Sequence, residues 1–527
     1  MGFDPMFCNW IKMLHADAKT TFILEGLTNF INVSFSIRQG DPLAMILYIV
    51  YIEPLLLHIA RNIAGIRIPE LPQNPLSESD SVEAYCDDVN VLTDNENDFL
   101  KIDESVRKFE TFSGAVLSRN KKCLVLGFGK WRNRENWPLP YLKSVSEIKI
   151  FGIYFMDSYK RLLAKNWDFR FKKFSNLIKM WKPRRLDTIE QRVKVINLYG
   201  LPRVFYVASL LPMNKSVLKN FDREIGKFIW SSSGKLLRVS LEELKNVKLE
   251  GGLSLSCLRR KNFSLILSQL LRLLKSGDIK STDHVGFWLG DVLEDLMPQF
   301  QGLLHADTLT TYYADIEQIV VEAKASDLVS IGTWKQLTCK QIYRSKISSL
   351  NPPKVQIDFG VSYQPIWKRL FNPVLSPQVQ DTMYLLLHNK LPVKERLFRI
   401  GLESDPYCLS CSNACIQDLV HYFTECITVA DVWADLKGTL VNLISPSSGD
   451  ILTNWNLLNM FFPKNASETE CIWLIGNYVS YVWDELRIKN LAVIKKESIF
   501  GFLRYKYKYD QLGARIPLRL LPSRLLD

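Results

Sequence analysis

Cys408, Cys411, His421 and Cys426 are spaced Cys-x2-Cys-x9-His-x4-Cys. Thiolates and an imidazole at these spacings suit a tetrahedral zinc ion, and four protein ligands leave no open position for a substrate, so the reading is a structural site. Cys415 lies in the same stretch as a rival ligand with poorer spacing. A second constellation is Tyr85-Cys86-Asp87-Asp88. Adjacent carboxylates at a tight turn concentrate negative charge that a divalent cation offsets. Magnesium favours carboxylate oxygens together with substrate phosphates, so Asp87 and Asp88 are a candidate half-site for it. The plain alternative is an exposed Asp-Asp turn. The third is Arg38-Gln39-Gly40-Asp41-Pro42-Leu43. Its arginine can pair with a phosphate and its glycine lets backbone approach a ligand, although an ordinary strand–turn–helix junction with an aspartate cap has the same composition.

These residues need elements to hold them. Val82–Cys86 and Val89–Leu92 read as short strands flanking the aspartates. Thr21–Glu25 and Asn32–Ile37 read as a hairpin around Gly26–Asn29. Leu43–Ile63 has helical spacing, with Asp41 placed to cap it and Pro42 at the first helical position. Pro69–Ser81 reads as a loop, Asn97–Phe112 as a helix, and Leu124–Phe128 and Ile148–Phe155 as strands. Residues 158–275 change to amphipathic helix, with apolar positions such as Phe171, Phe174, Leu177, Ile178 and Trp181 and a break at Gly251-Gly252. Asn351-Pro352-Pro353 suggests a linker, and 376–400 reads as helix before the cysteine cluster. His388 reads as a capping or surface histidine outside the zinc set, and Trp433, Trp473 and Trp483 as core of a helical tail.

The chain has 527 residues, 47% of them hydrophobic and 23% charged. That composition excludes a disordered, collagenous or small disulfide-stapled protein and allows about three to five domains. The apolar run Ala44–Ala60 contains Glu53 and Pro54 and reads as too short and broken for a membrane span. No signal peptide follows Met1, so an intracellular location is expected, nuclear or cytoplasmic. The net charge is +12, and residues 160–275 hold 26 Lys/Arg against 8 Asp/Glu. Such a concentrated basic segment favours an acidic partner, most often nucleic acid.

The ordered motifs together resemble the reverse transcriptase of non-LTR (LINE-type) retrotransposons. Phe35–Leu43 is similar to the block before the palm helix, and Tyr85-Cys86-Asp87-Asp88 to the catalytic turn, which usually has Ala at its second place. Phe112-Ser113-Gly114-Ala115 with Asn120-Lys121-Lys122 is similar to the next block, and Ile150–Phe155 to the hairpin that holds the primer end. Arg203–Pro212, Phe228-Ile229-Trp230 and Gly251-Gly252-Leu253 are similar to the thumb and the segment after it. Leu387–Pro392, the cysteine pair and His421–Cys426 resemble the zinc-binding segment downstream of such polymerases.

The resemblance implies RNA-directed DNA synthesis by two-metal nucleotidyl transfer on an RNA template and DNA primer, using deoxynucleoside triphosphates, with Mg2+ catalytic and Zn2+ structural. It implies Asp87 as direct magnesium ligand and Asp88 as supporting or sharing that role. Tyr85 buttresses the turn, while Arg38, Gln39 and Gly40 position template and nucleotide. Lys121 is implied as the acid for the departing pyrophosphate, and Gly152 and Tyr154 as the primer grip. Ser36 stands for a usual Gly, and Ala44-Met45 for a usual Ser-Pro. The family also needs a third carboxylate, from an upstream block that precedes the stretch matched by Met1–Phe7, so the chain alone is expected to be inactive as a polymerase. The expected fold class is α+β: a partial palm of antiparallel sheet and helices (1–157), a basic helical thumb and connection (158–275), a helical region (276–350), the zinc-binding segment (351–435) and a helical tail (436–527). The alternatives are a non-catalytic nucleic-acid-binding remnant and an unstable pseudogene product.

Overall fold

The computed structural model describes residues 2–16, 19–21, 23, 26–32, 42–66, 81–86, 88–119, 123–230, 239–276, 279–295, 300, 308–326, 328, 334–347, 364–411, 415–445, 452–463, 468–488 and 494–512. Arg38, Gln39, Gly40, Asp41, Asp87 and Lys121 lie outside them, as do the loop expected at 69–80 and the linker at 351–353. The chain divides into two compact units, Met1–Leu162 and Leu163–Asp527.

The first unit mixes helices with short strands. Helix α1 (Pro5–His15) starts where the Asp4 carboxylate accepts from the Met6 N–H at 2.7 Å, with Pro5 supplying a preset φ. Strands β1 (Lys19–Thr20) and β2 (Ile31–Asn32) pair antiparallel, with an isolated bridge between Ile23 and Leu27. The expected hairpin is therefore present with its strands displaced. Helix α2 (Ala44–Asn62) has Leu43 at its N-cap, without a side-chain cap, and Pro42 lies in the preceding turn instead of the first helical position. By length and composition alone α2 is long and apolar enough to cross a membrane, with mean hydropathy 1.5. Glu53 and Pro54 interrupt its middle. Its Ile52, Leu55, Ile59 and Ile63 pack with Val82, Val91, Ile102, Val106 and Phe109, forming the unit's core, while Met45, Ile46 and Ile49 are exposed.

Strands β3 (Val82–Tyr85) and β4 (Asp88–Val91) form an antiparallel hairpin in which Val82 faces Val91 and Tyr85 faces Asp88. Helix α3 (Asn97–Ser113) ends at Gly114, whose φ of 71° is one that a side chain would resist. Strands β5 (Leu124–Val125) and β6 (Lys143–Ser144) pair in parallel, and β7 (Glu147–Ile150) and β8 (Ile153–Met156) pair antiparallel. Among the described residues the strands form four separate two-stranded sheets. Three of these pairs are antiparallel, and small sheets beside a majority of helices agree with the expected α+β class. Strands of two to four residues bury little by themselves, and Val82 and Val91 of the β3–β4 pair pack on the α2 cluster.

The second unit is helical. Helices α4 (Tyr159–Trp181), α5 (Ile189–Val195), α6 (Pro202–Ala208), α7 (Lys215–Ile229), α8 (Leu241–Lys245) and α9 (Leu258–Ser276) follow in order, with a π-helical turn at Ile196–Gly200. Capping boxes at Thr188/Gln191 and Ser240/Glu243 start α5 and α8. Helices α10 (Ile279–Leu293), α11 (Thr311–Ala325) and α12 (Cys339–Ile347) gather around α9, burying Leu267, Leu271, Leu289, Val320 and Ile342. Then come α13 (Gln364–Leu370), α14 (Pro377–Leu387), α15 (Lys394–Arg399), α16 (Ala430–Ile444), α17 (Asn454–Leu458), α18 (Glu468–Trp483) and α19 (Lys496–Leu512). The helix expected across 376–400 is two helices, because Asn389 takes φ 51° and Pro392 removes a donor. Helix α18 is buried on nearly all sides. A Cβ at its Gly476 would lie 2.6 Å from Leu375 Cδ2, so glycine permits the close packing there. Trp433, Trp473 and Trp483 are core residues, as expected.

Candidate functional site

The chain between α15 and α16 folds back on itself. Tyr407 bridges Ile416, the Cys408 N–H donates to the Cys415 carbonyl at 2.9 Å, and the Gln417 N–H donates to the Pro406 carbonyl at 2.9 Å. A π-helical turn at His421–Glu425 follows, started by Asp418, whose carboxylate accepts from the His421 N–H at 2.7 Å. This hairpin and turn bring Cys408, Cys411, His421 and Cys426 together, their ligand atoms all within 4.8 Å of one another. Cys408 Sγ is 3.6 Å from Cys426 Sγ, Cys411 Sγ is 3.9 Å from Cys426 Sγ, and Cys411 Sγ is 3.5 Å from His421 Nε2. Sulfur at about 2.3 Å and nitrogen at about 2.0–2.1 Å from one tetrahedral ion sit about 3.5–3.8 Å apart, so the cluster fits zinc. Cys415 engages Cys408 through its backbone and stands outside the set.

Electrostatics suit a thiolate site. Burial opposes ionisation of Cys408, but hydrogen bonds involving His421, the Ser410 backbone and Cys426 bring its pKa down to about 6. Burial, with Cys408 as neighbour, pushes Cys426 up to about 11. Two facing thiols cannot both ionise easily without a cation, so they move in opposite directions. The surrounding donors were not legible as site residues from spacing. Gln417 Nε2 donates to Cys408 Sγ at 3.7 Å and Thr428 Oγ1 to Cys426 Sγ at 3.2 Å, holding the ligands in place. The Tyr478 hydroxyl of α18 donates to the Phe423 carbonyl at 2.7 Å, tying the ligand-bearing turn to the core.

His388 caps the C-terminus of α14, as one of its two expected readings had it, but it is not a surface residue. It is buried, at 3% exposure, and its Nε2 bonds the Gly251 carbonyl at 2.8 Å, which the Tyr384 hydroxyl also reaches at 3.0 Å. Its ring packs on Tyr384 and Trp367 with centroids 4.5 and 5.1 Å away. Desolvation lowers its pKa to about 4. It is thus a packing residue that clamps the Gly251-Gly252 turn, apart from the zinc ligands.

In the first unit, the β3–β4 turn places Cys86 at φ 53°. Asp88 begins β4 opposite Tyr85, and Asp87 falls outside the described residues. Tyr85 is 68% exposed and meets Phe151 edge-on at 6.1 Å. Phe151 and Gly152 form the β7–β8 turn at φ 48° and 83°, and Tyr154 stands opposite Lys149 in that hairpin. The Cys86 thiol lies 3.9 Å from Met45 Sδ at the start of α2. The unit therefore gathers the two hairpin turns with Tyr85, Asp88, Gly152 and Tyr154 on them. The Tyr85–Phe151 contact had no local signature in the sequence.

Residues 338–433 match the model of a family described as zinc-binding in reverse transcriptase. The match contains all four clustered ligands. Over 280 residues the chain is also 23% identical to the Transposon TX1 uncharacterized 149 kDa protein of Xenopus laevis, a similarity covering 52% of this chain. The chain spans about a fifth of the length of that relative, since the aligned part is 20% of it. Residues 338–433 are thus similar to a zinc-binding segment of reverse transcriptases.

Proposed function

We propose that the chain is the palm–thumb and zinc-binding portion of a LINE-type retrotransposon reverse transcriptase, whose parent activity is RNA-directed DNA synthesis. The observation that carries this reading is the order within one chain: a β-hairpin whose second strand begins at Asp88, a basic helical region, then a segment matching zinc-binding in reverse transcriptase. Asp87 and Asp88 would hold magnesium, which supplies activation of the primer hydroxyl and neutralisation of the triphosphate when bound. Arg38, Gln39 and Gly40 orient template and nucleotide, Tyr85 supports the turn, Gly152 and Tyr154 hold the primer end, and Lys121 donates the proton to the departing pyrophosphate. The zinc ligands stabilise the downstream fold and take no part in the reaction.

Two carboxylates under-coordinate a metal pair, so the reading separates binding from synthesis. Template–primer binding is expected from the chain itself, and nucleotide incorporation with magnesium only where a third carboxylate completes the site. In such an active context Asp87→Asn is expected to abolish incorporation, by at least about 1,000-fold as for loss of a principal electrostatic group, and to leave template–primer affinity nearly intact. Equal loss of both would remove Asp87 from metal binding. The second reading, a nucleic-acid-binding remnant, is favoured by the basic surplus in 160–275 and is the outcome if binding occurs in every context without incorporation.

A further inference from the structure

Between α4 and the π-helical turn an exposed tyrosine packs on a half-buried tryptophan in a basic stretch of sequence. Trp181, the last residue of α4, and Tyr199 pack with ring centroids 5.0 Å apart and planes 31° from parallel. The Arg184 guanidinium lies 4.4 Å from the Trp181 ring centroid, and Tyr199 is 50% exposed. The placement is built by the fold. The wide turn Ile196–Gly200 projects Leu198 and Tyr199 outward while Ile196 and Gly200 are buried. A Cβ at Gly200 would lie 2.8 Å from a Phe174 ring carbon, so only glycine lets this turn sit against α4. Asn197 locks the turn from the other side, donating to the Ser254 carbonyl at 2.9 Å and accepting from the Ser256 N–H at 3.0 Å.

Charge narrows the occupant. Residues 169–206 contain ten Lys/Arg against two Asp/Glu. One of those acids, Glu190, is bonded by Lys194 at 2.8 Å and Lys248 at 2.7 Å, leaving exposed Asp187 as the other. Lys179, Lys182, Arg184 and Arg185, all within four residues of Trp181 in sequence, are exposed. An exposed aromatic face costs little to cover, and cations beside it match a ligand that alternates planar apolar groups with negative charge. Bases in a duplex are already stacked and hide their faces, so an unpaired strand fits this surface better than a duplex does.

We infer that Tyr199, backed by Trp181 and Arg184, is a stacking site for an unpaired base of a single nucleic-acid strand, with the neighbouring lysines and arginines receiving its phosphates. This deepens the nucleic-acid-binding reading above and rests on it.

The test uses the full chain with a fluorescently labelled oligo(dT) strand and a duplex of equal length. Tyr199→Ala is expected to weaken single-strand affinity by about 5- to 150-fold, as for loss of one base–aromatic stack, and to leave duplex affinity unchanged. Tyr199→Phe, which keeps the ring face, is expected to restore binding to near wild type. Because Tyr199 is half exposed, both variants should unfold at the wild-type urea midpoint. Wild-type binding that Tyr199→Ala does not weaken overturns the stacking site and leaves the nucleic-acid reading standing. So does equal weakening of single-strand and duplex binding. Failure of the wild type to bind either probe overturns both.

Discussion

Two titrating side chains, Asp381 within α14 and His388 at its C-cap, pull stability in opposite directions with pH. Folded His388 resists protonation down to about 4, against an ordinary value of 6.5. Between those values the unfolded chain holds the extra proton, so this contribution is present above pH 6.5 and is lost as pH falls, by on the order of 2–3 kcal/mol. Asp381 behaves inversely. Burial pushes it up to about 7 even though the Ile189 N–H donates to it at 2.7 Å and Arg192 lies nearby. Between about 4 and 7 the folded chain keeps a proton that the unfolded chain has lost, so this contribution falls as pH rises. Asp381→Asn, which keeps the acceptor oxygen, is expected to make stability climb more steeply from pH 5 to pH 7 than in wild type. His388→Gln is expected to tilt the profile the other way. Urea midpoints across that range decide it: identical slopes in wild type and both variants would remove these two groups from the pH response.

At the scale of elements, the Gly251-Gly252 turn is where α8 and its loop meet α14. Leu253 and Leu255 N–H groups both donate to the Leu244 carbonyl, and the Ser254 N–H to the Asn246 carbonyl, so the backbone doubles back tightly. A Cβ at Gly252 would lie 1.9 Å from the Asn246 carbonyl oxygen and 2.4 Å from its carbon. Backbone atoms held by these bonds cannot retreat as a flexible side chain would. Gly252→Ala is therefore expected to cost about 3 kcal/mol or more, at the upper end of overpacking effects. A urea midpoint within error of wild type would show that the turn relaxes freely. Because Tyr384 and His388 grip the Gly251 carbonyl, the same substitution should also expose the His388 ring to protonation, raising its pKa toward the ordinary value in NMR titrations.

At the scale of the whole molecule, the two units carry separate cores: the α2 cluster in the first, and the helical packing around α9 and α18 in the second. The zinc cluster belongs to the second unit and is tied to α18 through Tyr478. Metal removal is thus expected to act on one unit. A zinc chelator, or Cys408→Ser, should lower the thermal transition of Leu163–Asp527 and spare that of Met1–Leu162. Zinc content should fall in step from one ion per chain. Unchanged zinc content in Cys408→Ser would remove that thiol from the ligand set, and equal loss in both transitions would tie the first unit's stability to the metal.

The zinc ligands were legible from spacing because a short hairpin and one helical turn bring all four together, and such local geometry follows from sequence separation. The Trp433, Trp473 and Trp483 core and the β3–β4 hairpin were legible for a similar reason, since periodicity marks which face is apolar. Other features depended on partners far along the chain. The capping place of His388 was legible, but its burial was not, because its acceptor, Gly251, is 137 residues away. Cys415, which spacing already disfavoured, lies outside the group of four converging ligand atoms. Which short strands pair with which was not legible, because pairing is a long-range choice that strand propensity does not specify. The Trp181–Tyr199 pair has the composition of an ordinary core stripe, and which ring faces solvent was decided by where the π-helical turn and the 254–256 loop lock together. Residue type and local spacing thus determine the chemistry on offer and the helices that carry it. Burial, register and distant hydrogen-bond partners are decided by packing, because each depends on which remote surface excludes water from the group.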